Sequence, residues 1–224
     1  MSINFVLFDA ALELIPKEII RHPAILADSK RRGTPPDEIL LDRAVHHYAM
    51  SGIKNSERRG RPDIVHTTLL VATDSPAYRR GRMKIFVHTY DGKILNFRGG
   101  VRPPVNYNNF VNLMAQLIRS GRVPLHGRPL IERNEGSIKT LLESIGGFAI
   151  LLTSRGRRTE FKDALEKIDQ KTVTLLVGGY PKGPPPSELF KLCDDAISIY
   201  DSMLASWTVA SRVIYDLEKF LLKI

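Results

Sequence analysis

Cysteine and tryptophan are almost absent from this sequence of 224 residues, which contains one of each. The single thiol, Cys193, excludes an internal disulfide and a cysteine-based zinc cluster, and it fits a reducing compartment. We therefore expect a cytoplasmic protein. The six histidines lack metal-ligand spacing, since His46 and His47 are adjacent and would point apart on a helix. The sequence thus predicts no metal site.

Long hydrophobic runs are missing as well. No apolar run could span a bilayer, and the first residues lack the layout of a signal peptide, so we expect no membrane partner. The glycines follow neither the dinucleotide-binding nor the Walker spacing, and no serine lies in a nucleophile elbow. Cys193 is typical of a buried helix residue, and Asp194-Asp195 is typical of a helix end before a strand.

The overall composition is that of an ordinary globular protein, with 43% hydrophobic and 25% charged residues. A chain of this length and composition can bury a sizeable core. Strand-like and helix-like segments alternate, and this alternation predicts an α/β fold with a mostly parallel sheet covered by helices. Asp91-Gly92 between apolar runs at residues 83–88 and 94–97 predicts a β-hairpin. We expect one domain over residues 1–224, with this hairpin and its loop as a small insertion.

Three further expectations concern local structure. The pattern at residues 10–31 predicts a helix interrupted near Pro16 and Pro23. The segment at residues 34–38 predicts the start of another helix, whose apolar stripe continues to Ala49. Residues 121–136 have the composition of a loop.

The net charge is +9, and it is unevenly distributed. Between Arg58 and Arg102 there are eight Arg and two Lys against three Asp, whereas residues 159–224 carry ten acidic and eight basic side chains. An arginine-rich surface attracts a polyanion, most often nucleic acid, because a guanidinium forms forked bonds to phosphate. The alternative is a solvated face that only keeps the protein soluble.

The first candidate site in this basic segment is Arg61-Pro62-Asp63. Proline between a polar loop and an apolar run places Asp63 in the first turn of a helix. An aspartate two residues from an arginine can hold the guanidinium by a forked hydrogen bond and fix its direction. A helix cap beside a surface arginine is the alternative explanation.

The second candidate is the loop at residues 99–104, which follows the hairpin and precedes a helix. Arg102 lies on this proline-stiffened loop, and Asn106 and Asn109 fall at the start of the helix. Such side chains suit contacts to phosphates and base edges. A turn followed by capping asparagines is the alternative.

The carboxyl-terminal third carries the pattern of a ligand cleft. An apolar run at residues 172–177 ends at Gly178-Gly179, and a proline-rich loop follows to residue 186. A second run at residues 196–200 leads to an apolar helix. Ligands bind at the carboxyl ends of parallel strands, so this arrangement predicts a small-molecule site. The two glycines could instead form only a turn that ends a strand.

In combination, these motifs resemble one family. Arg-Pro-Asp-Ile-Val-His at residues 61–66, followed by Asp-Ser-Pro at 74–76, looks like the signature of the nucleolar-essential-protein family of SPOUT-class RNA methyltransferases. The Val-Arg pair at 101–102, Leu-Val-Gly-Gly-Tyr-Pro-Lys-Gly at 176–183, and Ile-Ser-Ile-Tyr at 197–200 recur in the family's order. The resemblance covers nearly the whole chain.

The resemblance implies both fold and function. Members use S-adenosylmethionine to methylate N1 of a pseudouridine in a hairpin loop of small-subunit ribosomal RNA, in ribosome biogenesis, and they release S-adenosylhomocysteine. They are homodimers with a carboxyl-terminal trefoil knot. By this resemblance, residues 54–110 hold a basic RNA-binding segment and residues 147–224 a knotted cofactor-binding part. The protein would be nucleolar only in a cell with a nucleus.

The resemblance also assigns residues. Arg61 and Arg102 match RNA-contacting arginines, and Asp63 matches the carboxylate that steadies the first, so Arg61 and Asp63 are the catalytic candidates. Val105 and Asn109 stand where the family often carries arginines. Neighbouring cations would then supply the charge for RNA: Arg79, Arg80, Arg82 and Lys84. The implied cofactor-binding residues are Gly178, Gly179, Gly183, Ile199, Tyr200, Asp201, Ser202, Met203, Leu204 and Ala205.

Two other functions stay open on the sequence. One is a non-catalytic RNA-binding factor for ribosome assembly, and the other is a related knotted methyltransferase with a different RNA target. The intact glycines at residues 178, 179 and 183 favour retained cofactor binding. Apolar residues cover more than one face of the final helix, and this predicts burial against both the core and a second subunit: Leu204, Trp207, Val213, Leu217 and Phe220.

Overall fold

A computed structural model describes residues 2–222 of the chain, with side chains to residue 220. Eight strands in this part form one sheet, in the order β4-β5-β3-β2-β1-β7-β6-β8. The strands are β1 (Ser2–Ala10), β2 (Met83–Thr89), β3 (Lys93–Phe97), β4 (Arg122–Val123), β5 (Ile131–Glu135), β6 (Phe148–Arg158), β7 (Thr172–Gly178) and β8 (Asp195–Ser198). Strands β2, β1, β7, β6 and β8 are parallel, whereas β3, β5 and β4 are antiparallel. The mostly parallel sheet expected from the sequence is confirmed.

Helices connect the strands and cover the sheet. They are α1 (Pro23–Arg32), α2 (Arg43–His46), α3 (Pro62–Asp74), α4 (Pro76–Arg79), α5 (Tyr107–Ser120), α6 (Ile138–Ile145), α7 (Phe161–Leu165), α8 (Leu189–Leu192) and α9 (Ser206–Leu222). Single 3-10 turns lie at Pro36–Glu38, Ala49–Gly52 and Ser56–Arg58. In this part of the chain, no helix combines the length and apolarity needed to cross a membrane.

Strand β1 lies at the centre of the sheet, between β2 and β7. Alternate side chains point to opposite faces, so Ile3, Phe5 and Leu7 join one apolar cluster while Val6 and Phe8 join the other. All five are at most 2% exposed. Because both faces are covered, the strand needs a nearly continuous apolar sequence. A third, smaller cluster lies beneath the segment between β1 and α3.

The helix predicted to start at Arg61-Pro62-Asp63 is observed as α3. Helix α3 begins at Pro62 and ends at Asp74, and the Ser75 hydroxyl accepts a 3.3 Å bond from the Tyr78 N–H to cap α4. Strands β2 and β3 form the expected antiparallel hairpin. The hairpin is part of the main sheet, because β3 pairs with β5 on its other side, and it is therefore not a separate insertion.

The prediction of two long helices before α3 is largely wrong. Only Pro23–Arg32 is an α-helix within residues 10–31, and residues 34–49 contain short turns and the four-residue α2. Tertiary hydrogen bonds use the backbone groups that a helix would need. The Ile15 N–H donates to the Ile39 carbonyl at 2.9 Å, and the Leu41 N–H donates to the Glu13 carbonyl at 2.9 Å.

The loop expected at residues 121–136 also differs, because it contains β4 and β5. The sequence signal is weak since these strands lie at the sheet edge and carry charged residues such as Glu132 and Arg133. Their pairing depends on β3, with Ile131 opposite Phe97.

Candidate active site

A pocket of about 310 Å³ opens at the carboxyl ends of β6, β7 and β8. Three segments supply most of its wall: residues 152–155 after the buried part of β6, residues 177–185 after β7, and residues 197–204 after β8. Helix α9 closes one side with Ser206 and Val209. The Ser206 hydroxyl donates to the Gly178 carbonyl at 2.5 Å, which holds the start of α9 against the end of β7.

Seven of the ten cofactor-binding residues expected from the sequence line this pocket: Gly178, Gly183, Ile199, Tyr200, Ser202, Met203 and Leu204. The structure therefore brings the glycine-rich loop and the segment after β8 together around one cavity. Its size and mixed apolar and polar lining suit a small organic ligand.

The other three expected residues lie outside the lining, each for a definable reason. Gly179 is bound to the strand behind the pocket, since its N–H donates to the Phe8 carbonyl at 2.7 Å. Asp201 points to solvent and pairs with Arg158 at 2.8 Å. The Ala205 carbonyl accepts the Thr208 and Val209 N–H groups, which is the start of α9.

Sequence reasoning missed the wall that follows β6. Thr153, Ser154 and Arg155 line the pocket directly after the buried run of this strand. The rule that ligands bind at carboxyl ends of parallel strands applies to β6 as well and would have found them. Among the lining residues in the described part of the chain, Arg155 is the only charged one.

The Arg61–Asp63 pair forms the expected fork. Arg61 Nε donates to Asp63 Oδ1 at 2.8 Å, and Arg61 Nη2 donates to Asp63 Oδ2 at 2.7 Å. Burial alone would raise the pKa of Asp63, but the bonds from Arg61 outweigh it and lower that pKa. The same bonds raise the pKa of Arg61. The Arg61 side chain stays 33% exposed, so its guanidinium is charged, fixed in direction and accessible.

The loop carrying Arg102 is held against the same helix. His66, on α3, has its Nε2 2.7 Å from the Pro104 carbonyl and its ring stacked on Phe110 of α5. Tyr107, at the start of α5, donates its hydroxyl to Asp42 at 2.6 Å, and burial followed by this bond raises its pKa. These contacts fix the loop between α3 and α5.

Two of the expected RNA-binding arginines share a carboxylate. Arg102 and Arg79 both pair with Asp74 Oδ1, at the end of α3. Arg80 and Arg82 are exposed on the following turn. The four arginines thus form one basic surface next to the end of α3.

The two asparagines have different surroundings. Asn106 caps α5, since its side-chain oxygen accepts the Asn109 N–H at 3.1 Å. The capping alternative therefore holds for Asn106. The Asn109 side chain is exposed on the first turn of α5, and Val105 is exposed on the loop before the Asn106 cap.

Other chemistry is not supported at this site. Burial, followed by the nearby Asp194, raises the pKa of Cys193 to about 12, so the thiol is a poor nucleophile at neutral pH. Cys193 follows α8 and is only half-buried, so the expected position inside a helix is not observed. No group of histidine, cysteine and carboxylate side chains in the described ranges could hold a metal ion.

The fold and the site define a class of protein. It is an α/β protein with a small-molecule pocket at the carboxyl ends of its parallel strands and a separate surface of oriented arginines. The family model described as EMG1/NEP1 methyltransferase matches residues 5–218. The chain belongs to this family.

Individual relatives agree. The ribosomal RNA small subunit methyltransferase Nep1 of Pyrobaculum calidifontis is 49% identical over 178 residues, 80% of each chain. Its counterpart in Staphylothermus marinus is 39% identical over 218 residues, covering 96% of this chain and 95% of the relative. The crystal structure of Archaeoglobus fulgidus Nep1 bound to S-adenosylhomocysteine superimposes with a TM-score of 0.88 at 36% identity, over 98% of each chain.

Proposed function

We propose that the protein is an S-adenosylmethionine-dependent methyltransferase that modifies N1 of a pseudouridine in a hairpin loop of small-subunit ribosomal RNA. One observation carries this proposal: a small-molecule pocket and a guanidinium fixed by a carboxylate occur on one chain of the EMG1/NEP1 family. The named activity of the relatives and the product bound to the Archaeoglobus fulgidus protein support it.

The pocket has the chemistry that the cofactor needs. Apolar side chains such as Ile199, Leu204 and Val209 can contact a purine, and backbone groups of the glycine-rich loop can bond to its edge. Arg155, a charged residue in the pocket wall, suits the carboxylate of the amino-acid part. When bound, the cofactor supplies an activated methyl group on a sulfonium centre.

The protein mainly has to align donor and acceptor, because the methyl group is already activated. Arg61 would orient the target base or its phosphate and stabilise negative charge that develops as the N1 proton leaves. Asp63 keeps the Arg61 guanidinium in one direction through two hydrogen bonds. A base in a hairpin loop leaves its stack more easily than one in a duplex. A target base in a loop would therefore reach the pocket at a lower cost in free energy.

We assign the RNA contact to the basic segment at residues 54–110. Arg61, Arg79, Arg80, Arg82 and Arg102 would neutralise phosphates, and Asp74 would orient two of them. Asn109 is exposed on the first turn of α5, after the loop of Arg102, and would add an RNA contact, whereas the Asn106 side-chain oxygen is used in the helix cap.

The trefoil knot of the carboxyl-terminal part, at residues 147–224, belongs to the proposal as well. It is supported by the unusual register of β6, in which both Leu152 and Arg157 pair with Ile197 of β8. Between these two residues the chain leaves β8 and returns to the same partner residue, as a segment next to a threaded crossing would. At Gly156, in this irregular part of β6, a Cβ atom would lie 2.5 Å from the Ile197 nitrogen, so the two backbones pass with no room for a side chain.

We further propose a cytoplasmic homodimer. Large side chains are exposed at the pocket and on α9: Met203, which lines the pocket, is 66% exposed, and Tyr215, on α9, is 55% exposed. On α9, Val213 and Leu217 are buried in the core, while Phe220 remains 38% exposed. This two-sided apolar helix suits a second subunit. The unpaired thiol of Cys193 fits the cytoplasm.

Two measurements test the function. Calorimetry with S-adenosylhomocysteine should show binding, and mass mapping should show one methyl group on N1 of a pseudouridine in a hairpin from small-subunit RNA. Cofactor binding without methyl transfer would favour the assembly factor, and a methyl group on ribose or another base would favour the related methyltransferase. No binding at millimolar ligand would refute the enzyme.

A further inference from the structure

Arg58 connects the basic segment to the pocket, although nothing in the motifs singles it out. It lies in the 3-10 turn Ser56–Arg58, three residues before Arg61. Its side chain is 14% exposed and extends toward the glycine-rich loop after β7. A mostly buried guanidinium must find several partners, because an unpaired one is costly to remove from water.

The guanidinium has partners on every side. Its Nη2 donates to Asp9 Oδ2 at 2.8 Å. Its Nη1 donates to the carbonyls of Pro184 at 2.9 Å and Lys182 at 3.3 Å. The central carbon lies 3.7 Å from the centroid of the Tyr180 ring, which is a close cation–π contact. Three of these four partners belong to one loop.

That loop forms a wall of the pocket and has no regular secondary structure. Tyr180, Gly183, Pro184 and Pro185 all line the cavity. Loop carbonyls without a ladder partner take their position from side chains that bond to them. The Arg58 guanidinium supplies this bond at two carbonyls, so the shape of the wall depends on it.

The backbone conformations of Gly183 and Asp9, on either side of the Arg58 guanidinium, fit these contacts. Gly183 has a φ of +93°, and a Cβ atom there would lie 2.9 Å from Arg58 Nη1. Asp9 has a φ of +50°, which is uncommon for a residue other than glycine. It lies where the pairing of β1 with β2 shifts register, between Leu7 and Ala10. Such conformations persist when surrounding contacts fix them, and Arg58 provides one of these contacts.

We propose that Arg58 is a positioning residue for the cofactor, which holds the glycine-rich loop in its binding shape and couples that loop to the RNA-binding segment. The coupling rests on the proposed function, because it requires RNA at Arg61. RNA that orders residues 58–61 would order the loop through the same guanidinium. By linkage, RNA then tightens cofactor binding, and the cofactor tightens RNA binding by the same factor.

Arg59 offers a matched control. It is the next residue, and its side chain is 11% exposed. Its guanidinium forms a fork with Glu13, at 2.7 and 2.5 Å, and bonds to the Lys54 carbonyl. Arg59→Ala therefore removes an equally buried ion pair from the same segment, but one that does not reach the glycine-rich loop.

The experiment compares Arg58→Ala, Arg58→Lys and Arg59→Ala by calorimetry with S-adenosylhomocysteine and by steady-state methylation of an RNA hairpin. Arg58→Ala should weaken binding about tenfold or more, and raise KM for S-adenosylmethionine more than it lowers kcat. Arg58→Lys should recover part of the affinity, because it keeps the charge near Asp9 but not the fork. The S-adenosylhomocysteine affinity of Arg59→Ala should stay within about twofold of wild type, although its Tm should fall as much as that of Arg58→Ala or more.

Coupling is measured as the change in S-adenosylhomocysteine affinity when the hairpin is added. We expect tighter binding in the wild type and no change in Arg58→Ala. Equal affinities of Arg58→Ala and wild type, or equal losses in Arg58→Ala and Arg59→Ala, would overturn the positioning role. A wild-type affinity unaffected by RNA would overturn the coupling. If the wild type does not bind S-adenosylhomocysteine at all, the proposed function itself fails.

If Arg58→Ala does not fold, Gly183→Ala provides the test on the loop side. The new methyl group would collide with Arg58 Nη1 and strain the backbone at a φ of +93°. It should weaken S-adenosylhomocysteine binding without altering hairpin affinity in the absence of cofactor. Unchanged cofactor affinity in Gly183→Ala would contradict the importance of this contact.

Discussion

Arg61 and Gly179 are joined through a single residue, Ala11. The Arg61 N–H donates to the Ala11 carbonyl at 3.2 Å, and the Ala11 N–H donates to the Gly179 carbonyl at 2.9 Å. The start of the helix that carries the oriented guanidinium and the glycine-rich loop are therefore two backbone hydrogen bonds apart. Residues far apart in the sequence are brought to one place by the irregular segment that follows β1.

The fork between Arg61 and Asp63 can be tested with Asp63→Asn. An amide keeps at most one of the two bonds and loses the charge, so the guanidinium would no longer be fixed. We expect hairpin affinity to fall by about three- to tenfold, a moderate effect because the pair is partly exposed. S-adenosylhomocysteine affinity should not change. Asp37→Asn, on an exposed turn, makes the same change of charge and serves as the control. Both variants become more basic, so a loss of RNA binding in Asp63→Asn alone cannot come from net charge.

Asp74 should control how Arg79 and Arg102 meet RNA. Both arginines pair with its Oδ1, so Asp74→Ala leaves two guanidinium groups without their carboxylate. We expect stronger binding to unstructured RNA, with a steeper salt dependence by up to about two counterions. Discrimination in favour of the hairpin should decrease. Fluorescence anisotropy with hairpin and unstructured RNA over a salt series measures the salt dependence and the discrimination. An unchanged slope of log affinity against log salt would show that Asp74 does not neutralise these arginines.

Arg155 should contribute to cofactor affinity through the carboxylate of the amino-acid part. Arg155→Gln keeps much of the side-chain volume but removes the charge from the pocket wall. We expect about tenfold weaker binding of S-adenosylhomocysteine, which corresponds to one charge-assisted hydrogen bond. The affinity for 5′-methylthioadenosine, which lacks the carboxylate, should be the same in the wild type and in Arg155→Gln. Equal losses for both ligands would show that Arg155 acts only on the shape of the pocket.

Gly156 should be essential for the packing of the irregular part of β6 against β8. A Cβ atom would lie 2.5 Å from the Ile197 nitrogen and 2.6 Å from the Ala196 carbonyl carbon, and neither backbone can move easily. We expect Gly156→Ala to lower the free energy of unfolding by about 2–3 kcal/mol. Gly99→Ala is the matched control, because its Cβ would meet open space. Denaturant unfolding of both variants checks the difference.

His46 should make stability depend on pH. Burial lowers its pKa more than Asp28 raises it, and its Nδ1 accepts the Asp42 N–H at 3.0 Å, which requires a neutral ring. The unfolded chain binds the proton more readily than the folded one below a pH of about 6.5, so stability should fall as the pH decreases through this range. His46→Asn, which keeps an acceptor but cannot titrate, should flatten the curve of Tm against pH between about 6.5 and 5. An identical curve in both proteins would exclude His46 as the source.

Much of the fold could be predicted because its signals are local. The continuous apolar run of β1, the Asp91-Gly92 turn, and Pro62 at the start of α3 each determine structure over a few residues. Residues 11–22 and 34–49 could not be predicted, because their backbone groups bond to distant partners such as the Ile15 N–H with the Ile39 carbonyl. No local pattern records such a partner.

The sequence by itself determined the chemical types at the site: arginines next to an aspartate on a helix start, and glycines after a buried strand. Only the tertiary structure decided their roles. It placed Gly178 and Gly183 at the pocket but Gly179 behind it, and it joined Arg102 and Arg79 at Asp74. It also directed Arg58 toward the pocket and Arg61 toward solvent, three residues apart. The physical reason is that spacing fixes which face of an element a side chain occupies, whereas burial and hydrogen-bond partners depend on what packs against that face.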